Sequence, residues 1–267
     1  MSSSSSSSSS AVQTTPRSKR IALFITCLSD QFYPQVGVAV TRILERLGYT
    51  VEFPQAQTCC GQPFFNNGFH PEAARLGKRF IEIFEGYDHI VSPSGSCVAM
   101  VREQYHELFQ HDPAWGPRME AVRHRTYEFV EFLNDIAKFD ASQLTLPTGD
   151  RFTYHYTCHL RGLGIKDEGV RMLTEIGGVD FTPLEKTDQC CGFGGTFAIK
   201  YPEISGAIVE DKVRNIRDTK ANVTICNDAG CTMNISGMCH RGGVNTRVTH
   251  IAEVMAQAMG IELPQLG

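Results

Sequence analysis

The spacing of the cysteines restricts the fold of this chain more than any other feature of its sequence. The chain contains ten cysteines, and several of them recur at one fixed interval. The pairs separated by 131 residues are Cys27 and Cys158, Cys59 and Cys190, Cys60 and Cys191, and Gly61 and Gly192. Cys97 and Cys231 form a further pair, separated by 134 residues, and a short loop insertion accounts for the difference. Matched intervals of this kind indicate an internal repeat, so the chain is predicted to fold as two copies of one unit.

The residues around the repeated cysteines predict the same order of strands and helices in each half. Runs of apolar, β-branched and aromatic residues at 21–25 and 152–156 precede the first cysteine of each half, as is typical of strands. An amphipathic helix follows in each half, and Gly48 and Gly177 fit the residue just after a helix. Further strands are predicted at 50–53, 89–92, 179–182 and 222–226, with helices over 71–85 and 203–218. The order β-α-β-α-β indicates a parallel sheet flanked by helices.

We therefore predict an α/β fold made of two tandem, pseudo-symmetric units, 19–145 and 146–262, each a small parallel sheet flanked by helices. Ligands gather beyond the carboxyl ends of the strands in such sheets, which is where the cysteine sites are expected. The connection between the units is predicted to contain a helix at Tyr127–Lys138. Residues 1–18 begin with Met and nine serines and are predicted to form a disordered tail, because serine tracts cannot bury apolar surface.

Composition excludes several classes of function. The net charge is −4 and no stretch is strongly basic, so neither nucleic acid nor a membrane surface is an expected partner. No run of about 18 apolar residues exists, so no transmembrane segment is predicted. The amino terminus lacks the apolar segment of a secretory signal, and we predict a cytoplasmic protein. Ten cysteines in such a protein favour a metal or redox role over disulfides.

Each half offers four thiols as ligands. The first cysteine set is Cys27, Cys59, Cys60 and Cys97, and the second cysteine set is Cys158, Cys190, Cys191 and Cys231. Thiolates select zinc or iron–sulfur clusters. The cysteine spacing fits neither the C-x₂₋₄-C pattern of structural zinc sites nor the C-x₂-C-x₂-C pattern of ferredoxin clusters. Adjacent cysteines instead suit a larger, multi-iron cluster. Cys226 is a candidate fifth ligand in the second half, and Gly192 would let the backbone lie close to a cluster. The alternative is that these thiols only pack in the core, and this is the interpretation preferred for Cys239.

Two further features bear on chemistry. His159 stands beside Cys158 and is a candidate to donate a hydrogen bond to a ligand or to move a proton. The glycines at 192–195 lack the spacing of a dinucleotide fingerprint. The sequence therefore predicts no organic hydride acceptor in this chain.

The twice-repeated pattern Cys…Cys-Cys-Gly…Cys resembles the cysteine-rich CCG domain found in heterodisulfide reductase and in the iron–sulfur component of glycolate oxidase. The stretches Thr58–Gly68, Ser94–Cys97 and Cys190–Phe197, and the ending His250-Ile251-Ala252-Glu253, resemble the lactate utilization protein A family. The sequence departs from the usual C-x-x-C ending of the domain, because the first half has only Cys97 there and the second half has the wider pair Cys226 and Cys231.

The resemblance implies a non-flavin subunit of an L-lactate-oxidising system that works with two partner proteins, one of which bears ferredoxin-type clusters. In heterodisulfide reductase the CCG cysteines hold non-cubane four-iron clusters, and in other CCG proteins one such motif is a zinc site. The resemblance thus implies a 4Fe-4S cluster, cubane or non-cubane, with zinc as an alternative in the first half.

Three functions remain open at this point. The first is an oxidoreductase subunit, active only with its partners, whose second half carries the more redox-active site. The complex is either lactate-oxidising or, as the alternative, similar to heterodisulfide reductase or glycolate oxidase. The second is a non-catalytic assembly subunit in which a metal only stabilises the fold. The third, a thiol-based sensor or disulfide enzyme, is disfavoured because adjacent cysteines form a strained disulfide.

Overall fold

A computed structural model describes residues 20–25, 27–146 and 148–264 of the chain. The predicted serine-rich tail at 1–18 lies outside these residues. The described strands are β1 (Arg20–Leu23), β2 (Thr50–Glu52), β3 (His89–Ser92), β4 (Thr126–Glu128), β5 (Arg151–Tyr154), β6 (Asp180–Phe181), β7 (Val223–Cys226) and β8 (Arg247–His250).

The strands form two parallel sheets with the same topology. The strand order is β2-β1-β3-β4 in the first sheet and β6-β5-β7-β8 in the second. The pairing register repeats as well, since Ile21 pairs with His89 in the first sheet and Phe152 with Val223 in the second. These pairs keep the intervals of 131 and 134 residues found between the cysteines. The predicted α/β fold of two pseudo-symmetric units is thereby confirmed.

Helices flank both sheets. They are α1 (Cys27–Phe32), α2 (Pro34–Arg46), α3 (Gln62–Phe65), α4 (His70–Phe84), α5 (Gly95–Ala99), α6 (Tyr105–Phe109), α7 (Gly116–Arg123), α8 (Phe129–Glu131), α9 (Cys158–Gly162), α10 (Glu168–Glu175), α11 (Thr196–Lys200), α12 (Pro202–Asp218), α13 (Ala229–Arg241) and α14 (Ile251–Ala258). None of the described helices has the length and apolar character needed to cross a membrane.

The connection between the units corrects one prediction. The helix expected over Tyr127–Lys138 starts later, because its first residues belong to β4, the fourth strand of the first sheet. The Glu128 carboxylate accepts hydrogen bonds from the backbone N–H groups of Val130 (2.6 Å) and Glu131 (3.3 Å), so Glu128 caps the helix and fixes where it begins. The helix then continues through a π-helical stretch, Phe132–Ala137. Strand β8 was likewise missing from the predicted order.

The two units share one hydrophobic core. Helix α2 of the first unit packs against α14 of the second, and the largest group of buried apolar residues contains Leu44 and Phe129 together with Phe152 and Met255. The predicted unit boundary at residue 145 falls in the connection between β4 and β5 and stays a prediction. A common core fixes how the two sheets lie relative to each other, and so fixes how their strand ends face each other.

Candidate metal centre

The first cysteine set lies at the carboxyl ends of β1 and β3 and in the loop before α3. Its adjacent cysteines face different partners. The Cys59 thiol lies 3.8 Å from Cys27 Sγ, while the Cys60 thiol lies 3.5 Å from Cys97 Sγ. Cys60 and Cys97 are buried, whereas Cys27 is exposed. The four sulfur atoms therefore form two pairs. The pair Cys60 and Cys97 is buried, and the pair Cys27 and Cys59 lies nearer the surface.

The second cysteine set repeats this arrangement at the ends of β5 and β7. Cys191 Sγ lies 3.0 Å from Cys231 Sγ, and the Cys158 thiol is hydrogen-bonded to Cys190. The backbone N–H of Gly192 donates a hydrogen bond to Cys190 Sγ at 3.3 Å. The innermost thiols are again buried and Cys190 is exposed.

Proton sharing decides which thiol of a set ionises first. Hydrogen bonds from the thiols of Cys158 and Cys191 lower the pKa of Cys190, and the same contacts raise the pKa of both donors. In the first half the hydrogen bond from Cys27 lowers the pKa of Cys59 in the same way. One thiolate per set thus forms readily, whereas the thiols that donate hydrogen bonds to it hold their protons more tightly unless positive charge is nearby. A metal cation supplies that charge, so both donor sets fit a metal ion or cluster.

The glycine of each Cys-Cys-Gly sequence adopts a backbone conformation that other residues disfavour. Gly61 and Gly192 have φ angles of 89° and 82°, in the left-handed region that side chains disfavour. A Cβ at Gly192 would lie 2.7 Å from the Ser205 carbonyl oxygen on α12. Glycine at this position therefore lets the cysteine loop turn sharply and pack closely on the helix, in addition to presenting its N–H to Cys190.

Replacing Gly192 with alanine should destabilise the protein more than replacing Gly61. A left-handed alanine costs about 1–2 kcal/mol in either variant. Gly192→Ala adds a backbone clash, whereas the nearest atom to a Cβ at Gly61 is the Ala73 carbonyl oxygen at 3.4 Å, an ordinary contact. Urea unfolding of both variants under anaerobic conditions measures the difference. Equal losses of stability would show that the contact with Ser205 is relaxed at little cost.

Both cysteine sets open onto one cleft between the two units. The cavity has a volume of about 150 Å³ and is lined by all eight thiols of the two sets. Other residues lining it include Gln62, His159, Phe193 and Asp228. The tandem repeat therefore builds two facing donor sets, one on each wall of a common cleft.

Hydrogen bonds join the walls of the cleft. The Asp228 carboxylate accepts from Ser94 Oγ at 3.2 Å and from the Ser96 backbone N–H at 3.1 Å. The Gln62 side-chain amide donates to the Ser96 carbonyl oxygen at 3.1 Å and lies 3.4 Å from His159 Nε2. The contacts of Asp228 with Ser94 and Ser96, and of Gln62 with His159, cross from one unit to the other. They hold the two donor sets at a fixed separation.

His159, the histidine singled out from the sequence, lines the cleft next to Cys158. Its Nδ1 lies 3.7 Å from Cys158 Sγ. With Nε2 accepting from the Gln62 amide, the ring proton belongs on Nδ1 and faces the sulfur. The geometry therefore suits a hydrogen bond from His159 to a ligand thiolate.

Cys226 and Cys239 do not reach the cleft. Both are buried in the apolar core of the second unit, and burial raises the pKa of each thiol. Cys226 ends β7, and Ser92 ends β3 at the equivalent position of the first unit. The predicted role of Cys226 as a fifth ligand stays a prediction, and this placement behind the cleft does not support it.

Two buried polar residues, His155 and Lys212, lie near the second cysteine set. From the sequence His155 is expected to be a surface or capping histidine, which its complete burial contradicts, and Lys212 is not predicted to have a role. A nitrogen of His155 lies within 4.8 Å of the sulfur atoms of both Cys191 and Cys231. Burial lowers the pKa of His155, so the ring is neutral. The available signal was the repeat itself, because subtracting 131 shows apolar residues, Phe24 and Ile81, at the two equivalent positions.

Comparison with known proteins agrees with this arrangement. The profile of the CCG cysteine-rich domain matches twice, over residues 21–102 and 152–236, and each match contains one cysteine set. The chain belongs to the CCG family. Among curated CCG relatives, lactate utilization protein A 2 of Bacillus cereus (strain AH820) is 42% identical over 242 residues, which cover 90% of this chain and 99% of the relative.

Lactate utilization protein A of Exiguobacterium sp. (strain ATCC BAA-1283 / AT1b) is 45% identical over 242 residues, covering 90% of this chain and 98% of the relative. The chain is thus a CCG protein of the lactate utilization protein A family. A crystal structure of a hypothetical protein from Helicobacter pylori matches with a TM-score of 0.57 and 12% identity. The match covers 91% of this chain and 49% of that one, and it supports the fold alone.

Proposed function

We propose that this chain is the iron–sulfur redox subunit of a cytoplasmic system that oxidises L-lactate to pyruvate. The observation that carries the proposal is the convergence of two four-thiol sets on one cleft. The relatives are named for lactate utilization, which supports lactate as the substrate.

The second cysteine set would hold a four-iron cluster. Its adjacent thiols, Cys190 and Cys191, approach Cys158 and Cys231 respectively, so the four thiols form one connected donor set. A cluster of this kind, when bound, accepts and passes on single electrons. The first cysteine set would hold a second cluster or a zinc ion, since thiolates suit both.

Side chains around the second set support a redox role. The ring of Phe193 lines the cleft and limits access of water to the thiols, which is one means of tuning a cluster's potential. The Gly192 N–H donates to Cys190 Sγ, and His159 faces Cys158 Sγ. Hydrogen bonds to ligand sulfur stabilise the more negative, reduced state of a cluster.

Partner subunits are needed because lactate oxidation removes two electrons together with protons. The chain has no dinucleotide fingerprint, so we place the acceptor for those electrons on partners, one of them a ferredoxin-type iron–sulfur protein. Exposed apolar side chains lie on segments that also line the cleft, among them Phe64 (42% exposed) and Ile199 (80% exposed). Exposed apolar groups of this kind favour protein docking beside the thiols.

Anaerobic purification followed by iron, sulfide and zinc analysis tests the metal centre. We expect iron and acid-labile sulfide with broad visible absorption. A colourless protein that binds only zinc would favour the assembly-subunit hypothesis, and a fully stable protein without any metal would contradict both.

The isolated chain should oxidise no L-lactate, and activity should require the partner subunits. The physical reason is the lack of a two-electron acceptor within this chain. The assay follows reduction of an artificial electron acceptor, first with this chain alone and then with candidate partner subunits added. Full activity of the single chain would make it a self-sufficient enzyme and contradict this prediction.

A further inference from the structure

The two donor sets differ in what lies behind them, although the repeat makes their thiols equivalent. His155 stands where the first unit has Phe24, and Lys212 stands where it has Ile81. All four residues have 0% exposure. The second unit thus places an imidazole and an amine at two buried positions that are apolar in the first unit.

The His155 ring is aimed at the second cysteine set. Its metal-binding nitrogen lies within 4.8 Å of Cys191 Sγ and Cys231 Sγ. Neither ring nitrogen has a hydrogen-bond partner among the residues that the structure describes. A buried polar group without a partner is costly, and most such groups in folded proteins have one. A metal atom bound beside these two thiols would be the missing partner.

The first unit cannot supply such a ligand. The Phe24 ring packs against Phe80 and Phe84, with ring centroids 4.8 and 5.4 Å apart. The same position is therefore filled by an aromatic cluster in the first unit and by an imidazole in the second.

Lys212 adds positive charge behind the second set. Its ammonium group donates hydrogen bonds to the carbonyl oxygens of Lys186 (2.6 Å) and Thr187 (3.3 Å). Burial lowers the pKa of Lys212, and negative charge on Asp188 and on nearby cysteines opposes that shift. A buried cation beside thiolates offsets their negative charge.

We propose that His155 is a nitrogen ligand of the metal centre held by the second cysteine set, so that this centre has mixed thiolate and imidazole coordination while the first has thiolates only. The proposal rests on the proposed function for the identity of the metal. Neutral imidazole would add a ligand to the second centre without adding negative charge, so the two centres would differ in reduction potential.

The test uses the full chain with its metal bound, labelled with ¹⁵N-histidine. Pulsed electron paramagnetic resonance should show a coupled histidine nitrogen in the wild type. The strong coupling of a directly bound nitrogen should disappear in His155→Phe, which reproduces the first unit's residue, and in His155→Gln. Only the weaker coupling of His159, which faces Cys158 Sγ, should remain. The strong coupling should persist in His240→Gln, since His240 is exposed on α13, the helix that also carries Cys231. The midpoint potential should shift in both His155 variants and stay unchanged in His240→Gln.

The outcomes separate the inference from the proposed function. If the protein binds iron and works with its partners but shows no strong histidine coupling, the inference is wrong and the proposed function stands. If it binds only zinc, X-ray absorption at the zinc edge still reports whether imidazole is bound, and sulfur-only coordination overturns the inference. Because the wild-type spectrum decides the matter, a His155 variant that fails to fold does not affect the test.

Discussion

Cys191→Ser is expected to remove the metal centre of the second unit and abolish turnover of the assembled system. Cys191 is buried, and its sulfur lies 3.0 Å from Cys231 Sγ and near the His155 ring. Loss of an outer partner of a metal ligand typically costs about 10–100-fold in affinity or activity. Loss of a ligand itself should therefore cost more than about 100-fold.

Cys60→Ser is the matched variant in the first unit, and its main cost should be folding stability. Cys60 is 2% exposed and packs with Phe80 and Tyr105 in an apolar core, where serine would bury a hydroxyl. Cys239→Ser controls for loss of a buried thiol away from the cleft. Iron content, unfolding free energy and turnover are measured for all three. Equal loss of iron and activity from Cys191→Ser and Cys60→Ser would refute the asymmetry between the units.

The buried carboxyl of Glu128 should make the protein less stable as pH rises from about 4.5 to about 8. Glu128 lies between the units, where its carboxylate accepts a hydrogen bond from Asn227 Nδ2 at 3.3 Å. Burial raises its pKa from 4.5 to about 8. Below pH 4.5 the carboxyl is protonated in both the folded and unfolded chain. Above it the unfolded chain releases the proton while the folded chain retains it, so stability falls by roughly 1.4 kcal/mol per pH unit until the folded pKa is reached.

Glu128→Gln isolates this contribution, because glutamine keeps the size of the side chain and does not ionise. Urea unfolding of wild type and variant at about pH 5 and about pH 8 gives the free-energy difference between them. We expect the wild type to lose a few kcal/mol relative to the variant between these pH values. A constant difference would show that Glu128 is ionised in the folded protein over this range.

The cysteine spacing determined the repeat, the parallel α/β units and the thiols at the strand ends. These features are local or periodic, because neighbouring residues encode a strand, its following loop and the cysteine after it. The repeat means that each prediction in one half can be compared with the equivalent segment of the other half. Strands β4 and β8 escaped prediction because each is defined by its pairing with β3 or β7 and not by a local sequence pattern.

The tertiary structure alone decided that both cysteine sets face one cleft. That arrangement depends on α2 packing against α14, a contact between residues more than 200 positions apart, which no local pattern encodes. It also decided the difference between the sets. In the sequence, His155 is simply a histidine close to a cysteine. Its candidacy as a ligand depends on the fold, which buries both ring nitrogens and brings Cys191 and Cys231 next to the ring. Ligand geometry arises from side chains that are distant in sequence and close in space, and packing of the two units sets it.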